Sequence, residues 1–265
     1  MTPGEHPSDT TGSTFAPMTS PAPRGLASLA DKRALLFDLD GVLTPTAEVH
    51  MRAWKRLFTG YLEGKDVEQY TDDDYFRYVD GKPRYDGVRS LLASRGITLP
   101  DGQPDDAPGT ETVCGLGNLK NDAFTAELAG GMSAYPGSLD FLEKAQAAGY
   151  AVAVVSSSRN AVPVLEASGL RRRFEVIVDG LVAAERKLPG KPAPDTFLAA
   201  ADALGVDRAD CVVLEDAHSG VEAGHAGRFG LVIGVNRGVG AQTLLDSGAD
   251  VVVDDLADAV DSLRS

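Results

Sequence analysis

The sequence contains few of the features that define secreted, membrane-spanning and disulfide-stabilised proteins. Its 265 residues include only two cysteines, Cys114 and Cys211, and the second lies in an apolar run typical of a buried strand. We therefore expect no disulfide framework and a reducing compartment, the cytoplasm. No run approaches the ~18 apolar residues of a membrane-spanning helix. Residues 1–30 are rich in Pro, Ser, Thr and Ala and lack the basic start and apolar stretch of a signal peptide, so we interpret them as a disordered leader.

Positive charge is also scarce. The chain has 25 Lys and Arg residues against 39 Asp and Glu residues, which gives a net charge of −14. Because such a charge repels phosphate backbones and anionic lipids, we expect neither nucleic acid nor a membrane as a partner. An anionic substrate must therefore meet a local cluster of positive side chains. We expect the protein to act as a monomer on small molecules.

Signatures of nucleotide binding are missing as well. No Gly-x-x-x-x-Gly-Lys-Ser/Thr run occurs, which argues against a nucleoside triphosphate as phosphoryl donor. The pair Gly115 and Gly117 lacks the third glycine and the preceding strand of a dinucleotide-binding turn. The chemistry has to come from other motifs.

What the sequence does contain is an alternation of short apolar runs with helical patterns. This alternation predicts right-handed βαβ crossovers and a parallel sheet with helices on both faces. The predicted fold class is α/β, with a Rossmann-like parallel sheet as the core. Six strands are predicted, at Ala34 to Phe37, Ala151 to Val155, Phe174 to Val178, Cys211 to Leu214, Leu231 to Val235 and Val251 to Val253.

The segment between the first two predicted strands has a different character. Residues 46–131 contain no strand run, and their patterns predict an inserted helical cap domain. Placed directly after the first strand, the cap would lie over the carboxyl edge of a core formed by residues 31–45 and 132–265. Helices are predicted at Glu48 to Tyr61, Asp86 to Ser94 and Asn118 to Leu128, with an acidic and aromatic stretch at Asp72 to Tyr78 and a loop near 99–110.

The most informative segment is Phe37-Asp38-Leu39-Asp40-Gly41-Val42-Leu43-Thr44, in which an apolar run ends in two carboxylates one residue apart. Ligands of open α/β sheets bind beyond the carboxyl ends of the strands, so Asp38 and Asp40 fall where a ligand would lie. Taken alone, the segment is equally compatible with an ordinary turn, because Asp and Gly are common turn residues. The later strand ends favour the functional interpretation.

Polar groups suited to phosphate follow at three later points. Residues 156–160 place serines, Arg159 and Asn160 at a predicted helix N-terminus, which forms a phosphate cradle or, alternatively, an ordinary N-cap with spare serines. Lys191 lies just before a helix start that is stiffened by prolines. It would either neutralise a phosphate there or be a solvated surface lysine. Glu215 and Asp216 form a second acidic pair at a strand end.

The number of carboxylates at these strand ends predicts a metal. Asp38, Asp40, Glu215 and Asp216 would repel one another around one cleft unless a hard cation joined them, and ligation by oxygen alone suits Mg²⁺. We expect these four residues to be its ligands. The cation would screen the approach of an anionic phosphate to an anionic nucleophile.

In their order, these motifs resemble those of the haloacid dehalogenase superfamily of phosphotransferases. The match covers residues 34–255: an Asp-x-Asp-Gly-Val-x-Thr segment, Ser156 after the second strand, Lys191 before a helix and a late Glu-Asp pair. The resemblance implies that Asp38 attacks phosphorus to form an aspartyl phosphate and that Asp40 moves a proton to or from a sugar hydroxyl. Ser156 and Lys191 complete the catalytic set.

Within that superfamily, the cap resembles the β-phosphoglucomutase family. Thr46 to Lys55 is similar to that family's link between core and cap, Gly81 to Arg84 to its phosphate-gripping loop, and Lys120 to Asp122 to its cap lysine segment. Arg159 stands where a lysine is usual, and Pro45 and Lys82-Pro83 also depart from the pattern. The residues implied to bind substrate are Thr46, His50, Trp54, Gly81, Lys82, Arg84, Lys120, Ser158, Arg159 and Asn160.

Two activities follow from this resemblance. The first is an isomerase that interconverts β-D-glucose 1-phosphate and glucose 6-phosphate through a bisphosphate, and it requires a second phosphate site. The second is a hydrolase that uses the same Asp38 and Asp40 to release phosphate from a small sugar phosphate. The cap residues His50, Arg84 and Lys120 favour the isomerase, with His50 expected to orient the sugar. A purely binding protein is a third interpretation, which the complete catalytic set disfavours.

Overall fold

The protein is described by a computed structural model that covers residue 1 and residues 24–264. Six parallel strands form one sheet in the order β3-β2-β1-β4-β5-β6, which places β1 at its centre. This is the strand order of the Rossmann fold, in which a ligand binds where the order reverses. The α/β prediction is therefore confirmed. The strands are β1 Ala34–Phe37, β2 Ala151–Val155, β3 Val176–Val178, β4 Cys211–Glu215, β5 Leu231–Val235 and β6 Val251–Val253.

The sheet has an apolar cluster on each face because its strands are buried on both sides. Leu35 and Phe37 of β1 belong to one cluster, while Ala34 and Leu36 belong to the other. This alternation follows from the twofold repeat of a strand and explains why β1 is a continuous apolar run. The helices of the core are α5 Pro136–Ala147, α6 Ala161–Ala167, α7 Gly180–Arg186, α8 Asp195–Leu204, α9 His218–Ala226 and α10 Ala241–Asp246.

The segment from 46 to 131, called the insert below, has its own apolar core. Trp54 and Phe58 stack with ring centroids 5.3 Å apart, and they pack with Leu91 and Leu116 of neighbouring helices. All elements of the insert are helical. They are α1 Thr46–Leu62, α2 Asp72–Asp74, a π-helical turn Tyr75–Val79, α3 Arg84–Ser94 and α4 Val113–Leu128. The exact bounds of core and insert as domains stay a prediction.

Several local predictions need correction. Disorder through residue 30 was wrong for residues 24–30, because Arg24–Asp31 forms a 3-10 helix whose Leu26 and Leu29 are fully buried in the core. Residues 2–23 lie outside the described part of the chain. Helix α4 begins at Val113, five residues before the predicted Asn118, because the Thr112 hydroxyl accepts a hydrogen bond from the Gly115 amide at 2.9 Å.

Two further expectations concern strand β3 and the cysteines. Strand β3 starts at Val176, two residues after the predicted Phe174, because the Phe174 side chain packs edge-on against Phe37 in the core. Cys114 and Cys211 are both buried, and they do not form a disulfide with each other. Across the described ranges, every helix is too short or too polar to cross a bilayer.

Candidate active site

A cavity lies between the carboxyl edge of the sheet and the insert. It opens beyond the ends of β1 and β4, the adjacent central strands that carry the two acidic pairs. Most of the predicted site residues line it, and Thr46, Ser156, Asn160 and Lys191 lie just behind its wall. The lining residues that the sequence predicted are Asp38, Asp40, His50, Trp54, Gly81, Lys82, Arg84, Lys120, Ser158, Arg159, Glu215 and Asp216.

Lys191 joins the two acidic pairs. Its Nζ donates to Oδ1 of Asp38 at 2.5 Å, to Oε1 of Glu215 at 2.6 Å and to the carbonyl oxygen of Val155 at 3.2 Å. The lysine is only 3% exposed, so these three contacts satisfy all of its ammonium donors. Lys191 is therefore a buried structural and electrostatic centre of the site, and the alternative of a solvated surface lysine is excluded.

Two glycines let the acidic pairs approach each other. A Cβ on Gly41 would lie 1.8 Å from Oδ2 of Asp216, and its φ of +90° is also unfavourable for other residues. A Cβ on Gly220 would lie 1.7 Å from Oε1 of Glu215. Glycine at both positions allows the loop after β1 and the start of α9 to close around the carboxylates.

The carboxylates repel one another strongly in this setting. Burial raises the pKa of Asp38 well above its usual range, Lys191 opposes this, and Glu215 and Asp40 add to it. Burial also raises the pKa of Asp216, together with Glu215 and other nearby carboxylates. A single ammonium does not balance so many negative groups. The cluster therefore favours an additional positive charge.

Asp40 has a different environment from Asp38. Its Oδ1 accepts a hydrogen bond from the Thr46 hydroxyl and lies 3.5 Å from Nε2 of His50, while its Oδ2 accepts from the Ser156 hydroxyl at 3.3 Å. Burial raises the pKa of Asp40, but His50, Thr46 and Lys120 outweigh burial and lower it to about 2. Asp40 is therefore ionised in this state and ready to accept a proton.

Lys120 and His50 connect Asp40 to the insert. Nζ of Lys120 contacts Nδ1 of His50 and lies 5.0 Å from the ring centroid of Trp54 and 4.9 Å from that of Phe124. Burial lowers the pKa of Lys120 well below its usual range, and Arg84 adds to this effect. Burial also lowers the pKa of His50, with a contribution from Lys120. Trp54 is 4% exposed and serves both the apolar core of the insert and the cavity wall.

A second polar cluster lies where α3 and α4 meet the loop after β2. Asn121 accepts from the Arg84 guanidinium at 2.6 Å and from the Asn160 side-chain amide at 2.6 Å, so it bridges insert and core. The Ser158 hydroxyl accepts from the Asn160 backbone amide at 3.1 Å. Arg84 and Arg159 line the same cavity as Asp38. Burial lowers the pKa of Arg84, and the nearby Arg159 guanidinium lowers it further.

The remaining predicted residues have supporting contacts. The Ser156 hydroxyl also accepts from the Ser158 amide at 3.0 Å, which fixes the loop after β2. Lys82 lines the cavity and donates to the Ser90 hydroxyl at 2.9 Å. Gly81 has a φ of +67° and lies directly against α9.

The donor set fits a divalent cation in part. Asp40 is engaged by Thr46 and Ser156, and the Glu215 oxygens accept from Lys191 and from the Ala217 amide at 2.8 Å. In residue 1 and residues 24–264, no group of three or more His, Cys, Asp or Glu is arranged to hold a metal ion. Asp38 and Asp216 line the cavity, and within the described residues no hydrogen bond engages Oδ2 of Asp38 or the Asp216 carboxylate. The four-ligand set stays a prediction.

Sequence reasoning missed Asp80, Tyr75 and Ser157, which also line the cavity. Burial and the nearby Glu215 raise the pKa of Asp80 to about 7, although Tyr75 opposes this rise. Ser157 was part of the recognised serine run, and Asp80 directly precedes the recognised loop at Gly81. Their proximity to these motifs was the available signal, but their contacts depend on how the insert packs against the core.

Comparisons with known proteins agree with this geometry. Residues 32–228 match the family of haloacid dehalogenase-like hydrolases. The chain is 52% identical to a β-phosphoglucomutase of Mycobacterium bovis, over 85% of this chain and 90% of that protein. It is 33% identical to a β-phosphoglucomutase of Bacillus subtilis, over 85% of this chain and 91% of that protein.

A solved structure shares the fold. The β-phosphoglucomutase of Clostridium difficile superposes with a TM-score of 0.69 at 24% identity, covering 85% of this chain and 92% of that chain. Sequence, fold and site geometry agree. The chain belongs to the haloacid dehalogenase-like hydrolases and, among them, to the β-phosphoglucomutase family.

Proposed function

We propose that this protein is a β-phosphoglucomutase, which interconverts β-D-glucose 1-phosphate and glucose 6-phosphate through glucose 1,6-bisphosphate. The observation that supports it best is the position of Arg84 and Arg159. Both guanidiniums line the cavity that holds Asp38, and neither forms an ion pair with a carboxylate within the described ranges. An arginine fork suits a phosphate that is held rather than transferred. A mutase needs this second grip, and a simple phosphatase does not.

The core residues account for the first half of the reaction. Asp38 attacks phosphorus, the bond from phosphorus to the leaving oxygen breaks, and an aspartyl phosphate forms. Lys191 lies 2.5 Å from Oδ1 of Asp38 and favours the ionised carboxylate that this attack requires. The loop serine Ser156 holds Asp40 beside the same reaction centre.

Asp40 handles the proton. As an ionised carboxylate it accepts the proton of the sugar hydroxyl when that oxygen attacks the aspartyl phosphate. In the return step it donates that proton to the oxygen that leaves phosphorus. Its contacts with Thr46 and His50 come from the insert, so a closed insert positions Asp40 for both steps.

The bisphosphate must reverse its orientation between the two transfers. Arg84, Arg159 and the Ser158 to Asn160 loop would hold the phosphate that is not reacting, while Lys120 and His50 face the sugar. When bound, Mg²⁺ would screen the negative charge between phosphate and nucleophile, and Asp38 and Asp216 are the residues that would hold it. We further infer that the protein is a monomer in the cytoplasm. Its only partners would be small sugar phosphates.

The direct test supplies β-glucose 1-phosphate, Mg²⁺ and a trace of glucose 1,6-bisphosphate, and measures glucose 6-phosphate and free phosphate separately. We expect glucose 6-phosphate to accumulate much faster than phosphate. The opposite result, rapid phosphate release with little glucose 6-phosphate, would reject the mutase and establish a sugar-phosphate phosphatase. α-Glucose 1-phosphate is the matched control substrate.

A further inference from the structure

The loop at Asp80 to Pro83 is a point of close contact between the insert and the core. It connects the π-helical turn to α3, and its Gly81 adopts a φ of +67°. A Cβ on Gly81 would lie 2.3 Å from Oγ of Ser219 and 3.0 Å from Cβ of Ala217, at the start of α9. A Cβ on Gly190, in the core, would lie 2.4 Å from Cγ of Pro83. Small residues therefore allow this loop to lie directly on the core.

Two serine hydroxyls of the core bind consecutive backbone carbonyls of this loop. Ser157, after β2, donates to the carbonyl oxygen of Gly81 at 2.8 Å. Ser219, in α9 after β4, donates to the carbonyl oxygen of Asp80 at 3.2 Å. The two donors thus come from different strand ends and hold adjacent peptide groups from two sides. Ser219 is only 4% exposed, so its hydrogen bond is shielded from water.

We infer that Ser157 and Ser219 are positioning residues that latch the insert onto the core and so determine whether the phosphoryl group on Asp38 passes to a sugar or to water. This inference rests on the proposed function. Neither hydroxyl needs to touch the reacting atoms, because each acts through the loop that carries Asp80 to Arg84. Asp80, Gly81 and Lys82 of this loop line the cavity together with Asp216. A loosened loop admits solvent at the site where the aspartyl phosphate forms.

The two fates of the aspartyl phosphate differ only in the attacking oxygen. In transfer, a sugar hydroxyl attacks phosphorus, the bond to the Asp38 oxygen breaks, and Asp40 takes the proton. In hydrolysis, water attacks phosphorus, the same bond breaks, and a proton of the water passes to Asp40 or to the departing phosphate, so that inorganic phosphate leaves and the Asp38 carboxylate is regenerated. Water is the only additional reactant. The ratio of glucose 6-phosphate to free phosphate therefore reports how well the latch excludes water.

The test compares Ser157→Ala, Ser219→Ala and the double variant with the wild type. Each lost hydrogen bond should shift the equilibrium between closed and open insert by about fivefold. We expect the ratio of glucose 6-phosphate to phosphate to fall by about that factor in each single variant and further in the double variant. Ser168→Ala is the matched control, because its hydroxyl donates to the Val164 carbonyl within the core at 2.8 Å. Its ratio should remain that of the wild type.

A second measurement needs no substrate turnover. Trp54, the single tryptophan, is 4% exposed and lines the cavity, so its fluorescence reports insert opening. With Mg²⁺ bound, acrylamide should quench Trp54 more strongly in the double variant than in the wild type. Unchanged quenching and an unchanged product ratio, in variants that melt at the wild-type temperature, would reject the latch.

The two readouts separate the latch from the proposed function. Increased quenching together with faster phosphate release from an aryl phosphate would support the latch even if no glucose 6-phosphate forms, in which case only the mutase proposal fails. Normal mutase activity with unchanged quenching would reject the latch alone.

Discussion

The core edge and the insert face the same cavity but are built in different ways. At the core edge, Lys191 and Glu215 are almost completely buried, and Lys191 bonds to Asp38, Glu215 and Val155 without any help from the insert. On the insert, the groups that reach the core do so through a few single hydrogen bonds, such as that between Asn121 and Asn160.

The core edge and the insert therefore have different roles in the reaction. The nucleophile Asp38 and its lysine are held at one sheet edge by contacts within the core, whereas Asp40 also depends on Thr46 and His50 of the insert. In the proposed function, substrate choice and the exclusion of water depend on the hydrogen bonds between insert and core. Changes in the core should therefore affect every phosphoryl substrate, whereas changes in the insert should affect only substrates that need both phosphate grips.

Asp38→Asn should have the largest effect. It removes the nucleophile, so turnover of both glucose 1-phosphate and a small aryl phosphate should fall by at least about 10⁴-fold. Product assays on both substrates, together with a circular dichroism melt to verify folding, provide the measurement. Residual activity on only one of them would contradict a common nucleophile and would weaken the comparison of core and insert.

Lys191→Met tests the rigid core centre. The substitution leaves Asp38 and Glu215 buried without their cation, a change that costs about 3–5 kcal/mol when one partner of a buried pair is removed. We expect a loss of this size in urea unfolding and a fall in kcat of about 10²- to 10³-fold on both substrates. Lys144→Met, which breaks an exposed pair with Asp140, should change stability by less than about 1 kcal/mol. Equal effects of the two substitutions would show that the site tolerates an unpaired acidic pair.

The core edge could be predicted from the sequence to a much greater extent than the insert. The positions of Asp38 and Glu215 follow from the ends of β1 and β4, because parallel strands bring their carboxyl ends to one edge, and Lys191 was recognised from its place before a helix start. The contact of Ser219 with the Asp80 carbonyl, and of Ser157 with the Gly81 carbonyl, depends on a docking angle that no local pattern specifies.

Ionisation was harder to predict than position. The proximity of Asp38 and Asp40 in sequence gave no indication that one pKa would rise and the other fall to about 2. Burial raises both pKa values, but Glu215 and Asp40 add to the rise at Asp38, whereas His50, Thr46 and Lys120 outweigh burial at Asp40. Burial of the 24–30 segment also escaped prediction, since Leu26 and Leu29 lie in a Pro- and Ala-rich region without a clear helical pattern.

Arg84→Ala tests whether a change in the insert affects only substrates that need both phosphate sites. It removes one guanidinium from the second phosphate grip, so kcat/KM for glucose 1-phosphate should fall by about 10²-fold, while hydrolysis of an aryl phosphate should change by less than about twofold. Arg89→Ala is the matched control on the same helix, because Arg89 is exposed and pairs with Asp86 and Asp101. Equal losses on both substrates would assign Arg84 to the chemistry of the core. They would then contradict the proposed difference between changes in the core and changes in the insert.

The smallest effect is expected inside the insert, at the buried pair of Asp74 and Arg95. The two side chains are 8% and 3% exposed and lie 2.6 Å apart, and Asp74 lies outside the cavity. Burial raises the pKa of Asp74, but the Arg95 and Thr71 hydrogen bonds outweigh it and lower the pKa. Because the folded pKa lies below the unfolded value, this pair stabilises the protein fully at neutral pH and loses its contribution as the pH falls below about 4.

Asp74→Asn measures that contribution directly. At pH 7 it should lower the free energy of urea unfolding, followed by Trp54 fluorescence, by about 1.5–3 kcal/mol, the range for a hydrogen bond to a charged group. The difference from the wild type should shrink between pH 4 and pH 3. Turnover of an aryl phosphate at pH 7 should stay within about twofold of the wild type, because the core assembles its chemistry without this pair. A difference that stays constant down to pH 3 would mean that packing rather than charge gives Asp74 its stabilising role, and a loss of aryl phosphate turnover would mean that the core edge depends on the interior of the insert.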